Sequence, residues 1–262
     1  MSSPVIVILG TGYTGRVLYR QARAEGRIVF ATSRAPETNL QGIPPEQRLR
    51  FDLDHAGTWD AIPAQADVVW TFPAAPPDTV GTFGEQVATR LHRLVVLGAT
   101  SAYDGSPQAV RGEPVEETAP VDRTIARVHG EELLRERCGA ILLRVAGIYG
   151  PGRNPLDWIR QGRVGYSHRY VNLIHVEDLA AIILTSLEDG TPGDTYNVSD
   201  GTPRRWSEIM DTAASRWGTA KPLPADPTAG KRISNRKLLA ELGYTLRHPD
   251  LYKALEELER MK

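Results

Sequence analysis

The chain is 262 residues long and has a single cysteine, Cys138. An intrachain disulfide and a thiolate metal cluster are thereby excluded, and no metal site is expected. Cys138 follows Leu133 and Leu134 near an expected helix end, where a buried, inert thiol is the natural reading. An excess of one charge is also missing. Lys and Arg number 31 against 32 Asp and Glu, a formal net charge of −1. That balance argues against nucleic acid or a membrane surface as partner. No apolar run approaches the ~20 residues that span a bilayer. The first strand signal begins so early that a signal peptide has no room. Repeats and low-complexity tails are lacking too. What remains is a chain long enough for one large α/β core with a small appended lobe, expected in the cytoplasm and working on a small molecule.

The strongest positive signal is at the start. Val5 to Leu9 is an apolar, mostly β-branched run that reads as a buried parallel strand. Gly10, Thr11, Gly12, Tyr13, Thr14 and Gly15 follow as G-x-G-x-x-G, and Val17, Leu18 and Ala22 mark one face of a helix ending at Gly26. Gly10 suits the tight turn, Gly12 lets a pyrophosphate approach the backbone, and Gly15 lets the helix lie close to the strand. The helix start adds free N–H groups and a positive dipole end. A glycine-rich turn without a ligand is the bland alternative, but strand, turn and helix stand in the required order.

Ile28 to Thr32 reads as the second strand, and its end selects the dinucleotide. A free ribose 2′-hydroxyl is normally met there by Asp or Glu, about 20 residues past the glycines. Here Ser33 and Arg34 follow Thr32. A carboxylate would repel a 2′-phosphate, whereas a hydroxyl and a guanidinium hydrogen-bond it with charge assistance. NADP is expected in preference to NAD. Leu49 to Asp54 reads as a short third strand, with Asp52 available to the adenine amino group or to cap the next segment. Val68 to Phe72 is the fourth strand, stopped by Pro73 to Pro77, with a crossover helix expected over Gly84 to His92. Arg93 to Leu97 is the fifth strand, and a polar loop covers Ser106 to Asp122. A helix over about Thr124 to Arg137 packs through Ala126, Gly130, Leu133 and Leu134, with Gly139 as its C-cap. Ala140 to Val145, a helix through Leu187 and a strand over Thr195 to Val198 complete the pattern, with a Pro-rich linker at Lys221 to Pro227.

Alternating strands and helices give a Rossmann-type, doubly wound parallel sheet, with ligands beyond the carboxyl ends of the strands. The whole of 1–262 reads as one NAD(P)-binding domain. Segments 151–170 and 199–262 are expected to roof the cleft as a small substrate-side lobe.

Four stretches together resemble the extended short-chain dehydrogenase/reductase superfamily, in its NAD-dependent epimerase/dehydratase group. They are Gly10 to Gly15, Arg144 to Pro151, Asn172 to Leu179 and Tyr196 to Gly201. The ending, with Gly230 to Leu238 and then Leu242-Gly-Tyr244, is similar to the family's atypical members. The resemblance implies that Ala146, Gly147 and Ile148 lie near the nicotinamide and that the Pro73 loop lies beside the cofactor. It also implies that Asp178 is a helix-terminal anion and His175 a satisfied buried side chain.

The departures concern the chemistry. The family's Tyr-x-x-x-Lys pair stands on a helical face, where the cation favours proton transfer by the phenol. The matching positions here are Arg123 and Arg127, and no Tyr or Lys occurs from Ser106 to Gly139. The family's catalytic Ser/Thr falls on Ala99, beside Thr100 and Ser101. Arg127 would then hold the nicotinamide ribose, but as a guanidinium it relays no proton. Tyr103 is the remaining proton donor, with Thr100 or Ser101 polarising a carbonyl, although a Tyr beside Asp-Gly also suits plain packing. Arg153, Arg160, Arg163 and Arg169 would suit an anionic substrate such as a nucleotide sugar, or simply a solvated face. Two readings follow: an NADP-dependent enzyme on a carbonyl, alcohol or nucleotide-sugar-like substrate with non-standard acid/base groups, or an inactive NADP(H)-sensing protein.

Overall fold

In the computed structural model, which describes residues 4–220 and 230–262, the alternating pattern closes into one seven-stranded sheet. Its strands are β1 (Ile6–Leu9), β2 (Val29–Ser33), β3 (Arg48–Arg50), β4 (Asp67–Trp70), β5 (Arg93–Ala99), β6 (Ile141–Val145) and β7 (Thr195–Val198). They lie in the order β7-β6-β5-β4-β1-β2-β3. The pairings of β1 with β2 and β4, of β2 with β3 and of β4 with β5 are all parallel. The amides of Leu142 and Ala146 donate to Asp194 O and Val198 O, so β6 and β7 also advance together. Every residue of β1 is buried, as a strand covered on both faces must be. The chain leaves β1 for β2 and β3, then returns to β4 on the other side. That reversal opens a crevice at the strands' carboxyl ends.

The crossover helices are α1 (Tyr13–Ala24), α2 (Pro77–Gln86), α3 (Ala126–Cys138) and α4 (Val176–Asp189). Several boundaries differ from the sequence expectation, the third strand, expected over Leu49 to Asp54, ending already at Arg50. The helix expected over Gly84 to His92 begins at Pro77 instead and gives way to a 3-10 turn at Ala88–Arg90. The proline run ends the strand and also starts the helix, because Pro at the first helical position gives up only an amide that has no partner there. The loop expected over Ser106 to Asp122 contains a helical turn, Pro107–Arg111, and a short strand, Pro114–Val115. Ser106 caps that turn by accepting from the Ala109 amide.

The packing of α3 is also corrected. Ala126 is exposed and Leu133 only half-buried, and the buried residues are Val128, Gly130, Glu131, Glu132 and Leu134. Gly130 is obligatory: a Cβ there would lie 2.0 Å from Ala74 O, in the turn after β4. Gly139 closes the helix in the left-handed region, φ +65°. Cys138 is half-buried against Gly84 of α2, and burial pushes its thiol up, as an inert cysteine requires.

The chain divides into two compact units. The first is 1–102, 122–144 and 179–196, and the second is 103–121, 145–178 and 197–262. The expected lobe segments, 151–170 and 199–262, fall in the second. Its core gathers Tyr149, Leu156, Leu173, Met210, Leu251 and Leu255 among others. Three two-stranded pairings brace it, including Gly147–Tyr149 parallel to Leu173–His175. The Pro-rich stretch from Lys221 to Pro227 lies outside the described residues.

Candidate functional site

The first unit carries a cleft of about 760 Å³ at the carboxyl ends of β1, β2 and β3, a volume typical of small-molecule sites. Its floor is the glycine loop. Gly10 takes φ +83°, and a Cβ there would meet the Phe72 ring at 2.7 Å. Gly15 packs on β1, where a Cβ would sit 3.2 Å from Ile8 Cγ2. Gly12 differs: a Cβ would meet only Gly10 O, at 4.0 Å, and otherwise open space. The space that Gly12 keeps clear belongs to the cleft. The α1 helix starts there with no side-chain cap and no acidic residue in its first turn, so its positive end is left to a ligand.

The threonines around the loop serve to hold it. Thr11 donates its amide to Thr32 O at 3.1 Å and accepts the Thr32 amide on Oγ1 at 3.0 Å. The Gly10 amide donates to Thr32 Oγ1 at 3.0 Å, and Thr71 Oγ1 donates to Leu9 O at 3.0 Å. Thr14 is buried, while Thr11 and Tyr13 line the cleft.

At the far end of the cleft stand Ser33 and Arg34, as expected, joined by Arg16 and Asn39, which the motif reading missed. Ser33 Oγ accepts from the Ala35 amide at 3.2 Å and from Asn39 Nδ2 at 2.9 Å, which leaves its own proton as a donor. Arg16 donates to the Asn39 carbonyl. The available signal was position: Arg16 follows Gly15 directly, on the exposed side of the first helical turn. Asp52 lines the cleft, but its oxygens are engaged by the Asp54 amide at 3.2 Å and His55 Nδ1 at 2.9 Å. Of its two readings, the local cap is the one with contacts. Phe72 and Ala75 line the cleft from the turn after β4, whereas Pro73 in that turn is exposed.

The second cluster of the first unit surrounds the end of β5. Thr100 is buried, and Arg127, in the first turn of α3, donates from Nη2 to Ser101 Oγ at 2.8 Å. Nη1 of Arg127 lies 3.5 Å from Glu131. Glu131 and Arg144 form a buried ion pair, and Arg144 also binds Glu132 at 2.6 Å. Burial pushes the Glu131 carboxyl up, against the pull of Arg144 and Arg127. Arg123 touches this cluster only through Glu132. It precedes the helix and pairs with Glu136, which raises its guanidinium further, and with Glu132 at 3.2 Å.

The remaining expected residues lie in the second unit. Tyr103 is wholly buried in a cluster with Ala109, Val115, Ala119 and Ile233. Ala146 is buried, Ile148 half-buried and Gly147 exposed. The missing Cβ of Gly147 makes room for Leu173 Cδ2, which would lie 2.9 Å away. Asp178 is completely buried and accepts from Tyr244 Oη at 2.8 Å and from the amides of Arg247 and His248 at 2.7 and 2.9 Å. His175 is buried, accepts weakly from the Glu177 amide at 3.3 Å and lies against His248, ring centroids 3.8 Å apart and planes tilted by 36°. Of the four basic residues after Gly152, Arg160 is taken up by Asp157 and Glu259, at 3.1 and 2.8 Å.

No protein-family model matches the chain. Protein YeeZ of Escherichia coli K12 is 27% identical, over 94% of this chain and 96% of its own length. Among solved structures, one from Methylobacillus flagellatus, provisionally named an NAD-dependent epimerase/dehydratase, is 27% identical with a TM-score of 0.80, covering 99% of both chains. A protein of unknown function from Silicibacter pomeroyi is 26% identical, with a TM-score of 0.79 over 99% of both chains. The human epimerase family protein SDR39U1, solved with NADPH, shares the fold at 19% identity and a TM-score of 0.73, over 98% of this chain and 99% of its own. Sheet order, glycine loop and these neighbours agree: the chain has the fold of the NAD-dependent epimerase/dehydratase and short-chain dehydrogenase/reductase proteins, with arginines at positions 123 and 127.

Proposed function

We propose that the protein binds NADP(H) and acts as an oxidoreductase or epimerase-like enzyme on a carbonyl, alcohol or nucleotide-sugar-like substrate, with acid/base groups other than the family pair. The carrying observation is the cleft itself: an uncapped helix start beside Gly12, continuous with Ser33 and Arg34 in place of a carboxylate. The human neighbour solved with NADPH supports the same reading. Gly10 to Gly15 would hold the pyrophosphate, and Ser33 and Arg34 the 2′-phosphate. When bound, the nicotinamide supplies or accepts hydride.

The chain's own part is to bind and orient. A guanidinium donating to Ser101 Oγ leaves that hydroxyl's proton free for a substrate oxygen. Ser101 and Thr100 are therefore the polarising groups in this reading. Tyr103, the expected proton donor, has its hydroxyl shielded from solvent, and a proton donor must come within hydrogen-bond reach of substrate. That burial favours the second reading, NADP(H) sensing without turnover. Calorimetry with NADP⁺ and NAD⁺, followed by a carbonyl and nucleotide-sugar screen at NADPH absorbance, tests both. Tight NADP⁺ binding with turnover supports the enzyme, and binding without turnover on any substrate class supports the sensor. Absence of dinucleotide binding overturns both.

A further inference from the structure

A line of charged groups runs through the first unit from β6 to the turn after β5, beyond the residues that line the cleft. Arg144 and Glu131 are each 1% exposed and paired. From α3, Glu131 also reaches Arg127 one turn earlier, whose other nitrogen contacts Ser101. Gly98 of β5 makes room for the carboxylate: a Cβ there would lie 2.7 Å from Glu131 Oε2. Burying such ions is costly, and apolar residues of similar volume would generally stabilise a core as well or better. What the arrangement yields beyond stability is a guanidinium, one-quarter exposed, tethered at both nitrogens of its fork.

Topology indicates what that guanidinium faces. In the dinucleotide reading, Ser33 and Arg34 place one nucleoside over β2 and β3, and the glycine loop after β1 takes the pyrophosphate. A dinucleotide crossing the reversal point must lay its second nucleoside over the ends of β4 and β5, where Ser101 stands. We propose that Glu131 is a positioning residue that fixes Arg127 as the donor to the nicotinamide-side ribose. The inference rests on the dinucleotide reading above. A guanidinium offers two donors in a rigid fork, which suits the paired hydroxyls of a ribose.

The test is calorimetry with NADP⁺ and with adenosine 2′,5′-bisphosphate, which lacks the second nucleoside. Arg127→Ala is expected to weaken NADP⁺ by roughly ten-fold or more, as loss of a charged hydrogen bond does, and to leave the bisphosphate unchanged. Glu131→Gln should reproduce much of that selective loss and add nothing in the Arg127→Ala background. Gly98→Ala should act in the same direction, because its methyl displaces Glu131, and it carries the test if Glu131→Gln does not fold. Equal weakening of both ligands overturns the assignment. So does full additivity with Arg127→Ala, or unchanged NADP⁺ affinity in a folded variant. A wild type that binds neither NADP⁺ nor NAD⁺ overturns the dinucleotide reading, and this inference with it.

Discussion

The glycine loop and the Asn172 to Leu179 stretch are equally prominent in the sequence, yet the structure treats them oppositely. At the loop, hydroxyls and amides secure the backbone from behind while Gly12 and the α1 start face open space. At Asp178 the carboxylate is closed off, its oxygens taken by Tyr244, Arg247 and His248. Both are polar groups at a helix start. An anion there that is already saturated is architecture, whereas a helix start left without an anion is open to one from a ligand.

The sharpest way to break this comparison is Gly12→Val. The side chain enters space that only the cleft uses, so NADP⁺ binding by calorimetry is expected to vanish while the circular dichroism melt stays near wild type. A folded Gly12→Val with normal affinity would remove the loop from the site. Asp178→Ala is the mirror experiment. Three part-buried donors lose their acceptor, at about 1–3 kcal/mol each where water does not replace it. Urea unfolding should therefore show a loss of about 3 kcal/mol or more, with cofactor affinity unchanged in the folded fraction.

The pH dependence comes from the same closed region. Burial, with His248 beside it, holds His175 down at about 4, from the usual 6.5. Between those values the unfolded chain binds the proton and the native one does not. Stability is therefore full above pH 6.5 and lost as pH falls towards 4. The 2.5-unit difference corresponds to about 3 kcal/mol at most. His175→Gln should flatten this part of the curve, and an unchanged slope would place the titration elsewhere.

How much of this was legible in the sequence depended on range. The parallel sheet, the close packing of Gly10 and Gly15 and the cap at Gly139 follow from local pattern, and the end of β2 shows Ser33 and Arg34 directly. The donors to Asp178 lie about seventy residues away, and no periodicity connects them. Arg144 sits inside an otherwise apolar strand, and nothing local announces that Glu131 waits for it beneath Gly98, with Glu132 as a second partner. Pro77 read as a stop because the same residue both ends strands and starts helices.

Smaller effects sharpen the cofactor reading. Arg34→Ala is expected to cost NADP⁺ about 1.5–3 kcal/mol and NAD⁺ almost nothing. Equal losses would take Arg34 out of the phosphate site. Asp52→Asn should cost about 0.5–1 kcal/mol in stability, the size of a lost cap. It should leave AMP affinity alone, and a selective loss of AMP would restore the adenine role.

The position of Arg123 ahead of α3 bears on engineering. Grafting tyrosine and lysine at 123 and 127 looks like a two-step route to the Tyr-x-x-x-Lys chemistry that the resemblance implies. The helix begins only at Ala126, so the new phenol would project from a loop and share no face with the new amine. The replacement would also strip Glu136 and Glu132 of a partner. Recovering that chemistry requires rebuilding the approach to the helix, and single substitutions along the route should each lose fitness before any gain appears.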